Sequence, residues 1–189
     1  RWYTCQRFPL SNPSHGMYYF GYGSNMLTPR LQARVPSATP VSTAVLDGHV
    51  LHFHKQSRDG SGKCNIVPVS HSEAHVHGVV FDVSPSGAKT LDKVEQRGNG
   101  YERQEVTLHG PSSSLNAFAY VAQPGYVDDT LRPYHWYRAL VLAGARQHAL
   151  PSSYIADLES VESRPDPNQS RRHSHHALLA ETGFPLSRS

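Results

Sequence analysis

Met17-Tyr18-Tyr19-Phe20-Gly21-Tyr22-Gly23-Ser24-Asn25 is an apolar, aromatic run that ends on two glycines within three residues. Met17 to Phe20 has the composition of a short buried strand. Gly21 to Asn25 closes it in a turn, where glycine lets the backbone bend sharply and lets a ligand come close to bare N–H groups. Successive N–H groups in such a turn form a concavity that favours anions, and a helix starting just beyond adds to it. On composition alone, a tight strand-to-helix turn with no ligand explains the glycines equally well. Met26 to Arg34 is the expected helix, with Asn25 as its N-cap and Pro36 as its stop.

Outward from this turn the chain alternates short strands with a few helices. Val41 to Lys55 is predicted as strand, turn at Asp47-Gly48, and strand. Asn65 to Val69 and His75 to Val83 are predicted as strands. Ser84-Pro85 opens a helix, serine as N-cap and proline in the first turn, with Ala88, Leu91, Val94 and Glu95 on one face and Gly98 at its end. Tyr101 to His109 and Leu115 to Gln123 form a hairpin around Gly110-Pro111-Ser112-Ser113. Tyr134 to Gln147 is helical, and Ser152 caps a helix over Tyr154 to Val161. About seven strands and three or four helices in mixed order are not the strict alternation of a doubly wound sheet. They predict an α+β fold, a mostly antiparallel sheet or small barrel with flanking helices.

Of the 189 residues, 38% are apolar, enough for one core, and the formal charge is +3. No basic stripe points to nucleic acid, and no apolar run approaches the ~18 residues of a membrane span. Residues 1–16 are expected to form a polar leader, with Met17 a candidate natural start. The folded unit is expected over 17–162. From Ser163 on, Arg, Pro, Ser and His predict a disordered tail, with at most a helical turn at Ala177 to Ala180. Cys5 and Cys64 do not make a disulfide framework, so a reduced, cytoplasmic setting is expected.

Several catalytic patterns fail. Gly60-Ser61-Gly62-Lys63 is followed by Cys64 and lacks the earlier glycine of a phosphate loop. No Gly-x-Ser-x-Gly elbow surrounds a serine. There are thirteen histidines, among them His71, His75 and His77, but no carboxylate or cysteine completes a tight metal site, so neither metal nor cofactor is expected. Glu95 remains, on the Ala88-Leu91-Val94 side of its helix end, a placement suited to proton transfer. A surface glutamate beside Lys93 and Arg97 is the blander explanation, and the residues alone favour it.

Taken together, Tyr19-Phe20-Gly21-Tyr22-Gly23-Ser24-Asn25-Met26, Ser61 to Ile66, Val76 to Phe81, Leu91-Asp92-Lys93-Val94-Glu95, Gly100-Tyr101-Glu102-Arg103 and Tyr134 to Ala145 resemble, in order, segments of the γ-glutamylcyclotransferases. The resemblance covers roughly Met17 to Glu162. It implies a small mixed β-barrel with helices, and an intramolecular aminolysis in which a γ-glutamyl compound yields 5-oxoproline and a free amino acid without a cofactor. It implies Glu95 as the acid/base and Tyr19, Phe20, Gly21, Tyr22, Gly23, Ser24 and Asn25 as the substrate-binding stretch. Tyr137 and Tyr120 are implied as further contacts. The implied partner is a small γ-glutamyl molecule rather than nucleic acid or membrane; monomer and homodimer both stay open. Gln96 departs from the family's usual Gly after the glutamate, and Gly21 from a commoner Ala. Asn25 resembles the branch acting on γ-glutamyl amino acids. A non-catalytic binding module of the same fold and a γ-glutamylamine-processing enzyme are the alternatives.

Overall fold

The first strand, β1 (Met17–Gly21), is buried from Tyr18 to Gly21 and leads directly into the glycine turn, where Tyr22, Ser24 and Asn25 are buried as well. The structure, a computed structural model, describes residues 16–70, 73–109 and 113–184. Most of the expected leader, His71 and the turn at Gly110 to Ser112 lie outside these residues. The remaining strands are β2 (Thr39–Asp47), β3 (His49–Gln56), β4 (Gly62–Pro68), β5 (His75–Val83), β6 (Tyr101–His109) and β7 (Ser114–Ala122). The helices are α1 (Thr28–Gln32), α2 (Pro85–Val94), α3 (His135–Gln147), α4 (Ser152–Ser160) and α5 (Gln169–Glu181).

Five strands close a barrel in the order β1-β5-β2-β6-β7. Four of its junctions are antiparallel, and β7 returns parallel to β1 at Tyr19 and Phe118. The fold is α+β with a mixed, mostly antiparallel barrel. The strand–turn–strand around Asp47-Gly48 exists, with Gly48 at φ +68°, but β2 and β3 do not pair. Both edges of β2 are taken, by β5 and β6, so β3 turns away and pairs with β4 in a separate two-stranded sheet. Phe20, Phe81, Phe118, Leu91 and Leu108 are fully buried; Phe81 and Phe118 stand opposite Tyr19 in the strand register, and so on the other face of the barrel wall from Phe20.

Helix α3 presses its Leu140, Val141 and Ala145 into this core. It also comes unusually close to the glycine turn at Gly144, where a Cβ would stand 2.6 Å from the Leu27 amide nitrogen and from Met26 Cβ. A rigid helix therefore backs the turn. The helix expected over Met26 to Arg34 is divided: Ser24–Met26 forms one 3₁₀ turn, Leu27 is extended, and α1 starts afresh with Pro29 in its first turn. Proline fits a helix start, where its missing N–H would have no partner. Asn25 is thus not an N-cap, and its side chain is free for other work.

Helix α2 starts as expected, with the Ser84 hydroxyl accepting the Gly87 N–H at 3.0 Å. Ala88 and Leu91 are buried, whereas Val94 is 37% exposed. Glu95 is the C-cap, and the left-handed residue that follows is Gln96, at φ +54°, ahead of Gly98 at φ +85°.

The tail differs most from expectation. Beyond Ser163 the chain returns to the body: Tyr134 bridges to Arg164, and α5 packs on α3 with Leu179 fully buried. Asp166, also fully buried, accepts the Trp136 indole N–H at 2.8 Å and a two-pronged Arg171 at 2.5 Å. The His175 ring stacks on Trp136, centroids 3.8 Å apart. A segment this polar shows no apolar stripe because one leucine, one carboxylate and one imidazole ring anchor it.

Candidate active site

Where β1 gives way to the glycine turn, a cleft of about 310 Å3 including its mouth opens against the end of α2. Tyr19, Tyr22, Gly23, Ser24, Asn25, Glu95, Tyr120 and Tyr137 line it, all of them residues singled out in the sequence. Phe20 and Gly21 do not. Strand alternation turns Phe20 to the opposite side from Tyr19, into the barrel core. Gly21 is space-making: a Cβ there would meet the Phe81 ring at 3.3 Å.

Glu95 is held from two sides. Asn25 Nδ2 donates to Glu95 Oε1 at 3.0 Å and also to the Tyr19 hydroxyl at 3.0 Å. Arg34 Nη1 donates to Asn25 Oδ1 at 2.8 Å and reaches Glu95 Oε1 at 3.3 Å. Because Arg34 can only donate, it fixes the Asn25 amide with its oxygen toward α1 and its nitrogen toward Glu95. The Glu95 side chain keeps 18% of its surface exposed, so the carboxylate reaches the cleft while remaining anchored.

The far wall is built of phenols. Tyr22 donates to the Tyr120 carbonyl, and the Tyr120 hydroxyl donates to Asp92 Oδ1 at 2.7 Å, one turn of α2 before Glu95. The Tyr137 hydroxyl accepts the Cys64 N–H at 3.1 Å, and the Tyr101 hydroxyl donates to the Cys64 carbonyl at 2.6 Å. Gly23 lies tight against this wall: a Cβ on it would come within 3.1 Å of Cys64 Cβ and 3.4 Å of the Tyr137 hydroxyl. No side chain caps the 3₁₀ turn that starts after Gly23, and the Met26 N–H closes it onto the Gly23 carbonyl at 3.0 Å.

Cys64 and Tyr101 line the cleft too, and neither was given a role from the sequence. Tyr101 stands in the Gly100 to Arg103 segment, whose resemblance was noted, so a signal existed. Cys64 carried none beyond its place at a strand entry. Arg34 was also missed, since a contact across 61 residues leaves no local pattern.

Burial pushes the phenols of Tyr19, Tyr22, Tyr101, Tyr120 and Tyr137 up, so at neutral pH all five are uncharged. The same cause pushes the Cys64 thiol up to about 12, which leaves it a poor nucleophile. Among the described residues no three His, Cys, Asp or Glu side chains gather as a metal site. What the cleft offers is one anchored carboxylate and neutral hydrogen-bonding phenols, beside the backbone of the glycine turn.

Known proteins share this arrangement's sequence and fold. The family described as "Gamma-glutamyl cyclotransferase, AIG2-like" matches residues 19–139. A gamma-glutamylcyclotransferase of Bos taurus is 31% identical over 157 residues, 80% of this chain and 82% of that protein. One of Homo sapiens is 28% identical over 152 residues, covering 76% and 78%. A solved gamma-glutamyl cyclotransferase superposes with a TM-score of 0.75 at 24% identity, over 84% of this chain and 97% of that one. The chain belongs to the γ-glutamyl cyclotransferase, AIG2-like family.

Proposed function

We infer that this chain is a γ-glutamylcyclotransferase that releases 5-oxoproline and a free amino acid from γ-glutamyl amino acids, with Glu95 as its acid/base. The observation that carries the reading is a carboxylate oriented by Asn25 and Arg34 at a cleft whose one thiol, Cys64, is held protonated and whose one serine, Ser24, accepts from Arg30.

The chemistry asks little else of the protein. The substrate's α-ammonium must lose a proton before its nitrogen can attack the γ-carbonyl carbon. Glu95 takes that proton, the new C–N bond closes the five-membered ring, and the bond to the leaving nitrogen breaks. Glu95 returns its proton to the leaving nitrogen, so one group serves both halves of the reaction, and the second proton shed by the ring nitrogen is taken up by the released amine, which departs as an ammonium. Folding the glutamyl chain back on itself is a matter of positioning, and the Gly23-Ser24 backbone against the Tyr137 wall supports that role. N–H groups of the turn suit the α-carboxylate or the developing oxyanion. The reaction as written balances without a cofactor.

No helix among the described residues is long and apolar enough to cross a membrane. A cytoplasmic setting is part of the proposal, supported by the free, buried Cys64 thiol. Incubation with γ-glutamyl-alanine tests the function: 5-oxoproline and alanine are expected in equal amounts. Glutamate in place of 5-oxoproline would make the protein a hydrolase, and no turnover would leave it a binding module.

A further inference from the structure

Lys55, on β3, is only 7% exposed and has no counter-ion among the described residues. Its Nζ lies over the face of the Tyr101 ring, 4.6 Å from the centroid. A Cβ on Gly100 would stand 3.0 Å from Nζ and 3.2 Å from Cε, so the ammonium rests against the loop that joins Glu95 to β6. Neither a carboxylate nor a hydrogen-bond acceptor holds it among the described residues. The other cations near the cleft are engaged: Arg34 with Glu95, Lys63 with Asp59, Arg103 with Asp92, Arg171 with Asp166, and Arg30 with the Ser24 hydroxyl. Burial pushes the Lys55 ammonium down from its ordinary value, while Glu95 is the first group to pull it back. The two side chains therefore share one electrostatic neighbourhood.

A desolvated ammonium gains most from an arriving anion that also hydrogen-bonds it. The proposed reaction brings one. Glu95 hands its proton to the leaving nitrogen, and in an amino-acid leaving group that nitrogen and the α-carboxylate are attached to the same carbon. The carboxylate is then two bonds from the nitrogen that Glu95 protonates, and Tyr101, whose ring carries the Lys55 ammonium, lines the same cleft. We propose that Lys55 binds the α-carboxylate of the leaving amino acid and so selects γ-glutamyl amino acids over γ-glutamyl amines. This rests on the cyclotransferase reading given above.

The test compares γ-glutamyl-alanine with γ-glutamyl-ethylamide, which lacks only the carboxylate, in the wild-type protein, Lys55→Met and Lys55→Arg. Wild type should favour the alanine substrate in kcat/KM. Lys55→Met, which keeps the apolar stem, should lower kcat/KM for γ-glutamyl-alanine by about tenfold or more and that for the ethylamide by less than about twofold. Lys55→Arg should retain the preference. Equal losses on both substrates would mean that Lys55 merely supports the Tyr101 ring, and would overturn the proposal. A wild-type protein with no preference would overturn it without any variant. Absence of 5-oxoproline from both substrates would instead sink the cyclotransferase reading, and this inference with it.

Discussion

Asn25 Nδ2 stands 3.0 Å from Glu95 Oε1, across 70 residues of sequence. The glycine turn, the proposed substrate cradle, and the helix end that carries the carboxylate are thereby one unit, with Arg34 locking the amide from behind. Asn25→Ala removes the orienting donor while leaving the carboxylate in place. Steady-state kinetics on γ-glutamyl-alanine should show kcat down by about tenfold with KM changed much less, since a misdirected base harms the transition state more than binding. An unchanged kcat would mean that Glu95 needs no guide.

Gly23→Val puts branched carbon where even a Cβ lies 3.1 Å from Cys64 Cβ. The added bulk fills the cleft between the turn and Tyr137. Substrate binding, followed by calorimetry with a γ-glutamyl ligand, should be lost while circular dichroism keeps its native shape. Native affinity in this variant would place the cradle elsewhere.

Gln96 sits at φ +54°, where a side chain is disfavoured and glycine is not. Gln96→Gly should relieve that strain, partly offset by the larger entropy of glycine in the unfolded chain. A net gain of about 0.5–1 kcal/mol is expected in denaturant melts. A loss of stability would show that the Gln96 side chain makes a contribution of its own.

The docking of α5 should be acid-sensitive. His175 is pushed down to about 4 from 6.5, first by burial and then by the Arg30, Lys63, Arg34 and Arg171 charges around it. In the unfolded chain the same ring takes up a proton near 6.5, so between pH 6.5 and about 4 the unfolded state binds more protons than the folded one. Stability therefore falls as pH drops through that window. Asp166 does not confuse the reading, because its carboxyl is held down at about 2 and its partners Arg171 and Trp136 stay engaged until lower pH. His175→Phe keeps a ring on Trp136 and removes the titration, so its Tm should fall less than that of wild type between pH 7 and 4.5. Parallel slopes would mean that other groups govern the acid response. Leu179→Ala provides a second check on the packing of α5: it should cost about 2–4 kcal/mol if the side chain is buried as described.

Local patterns carried much of this molecule. The aromatic strand and glycine turn, the Ser84-Pro85 helix start, and most of β5 to β7 are set by short-range chemistry, and each is where its residues predict. The elements that went astray are those set by distant partners. β3 alternates like a hairpin strand, but its pairing depends on β5 and β6 already flanking β2. Asn25 has the composition of a cap, yet its amide is claimed by Glu95 and Arg34. The α5 segment looks too polar to fold because its anchors, Asp166 and His175, work only once Trp136 is in place. At the site the same division holds: Glu95 and the turn carried recognisable neighbours in sequence, whereas Cys64 enters the cleft through β4 and two tyrosine hydrogen bonds to its backbone.

The central claim is that the Glu95 carboxylate moves the proton, and Glu95→Gln addresses it most directly. The amide keeps the size of the side chain and its bond from Asn25, but it cannot accept the ammonium proton. Single-turnover and steady-state release of 5-oxoproline from γ-glutamyl-alanine should fall by about two orders of magnitude or more, the range of general base catalysis. Substrate affinity should weaken far less, and thermal stability should shift by no more than about 1 kcal/mol, since a glutamine amide keeps the bonds from Asn25 and Arg34 and no longer has a charge to desolvate. A folded Glu95→Gln protein that releases 5-oxoproline at the wild-type rate would contradict the account.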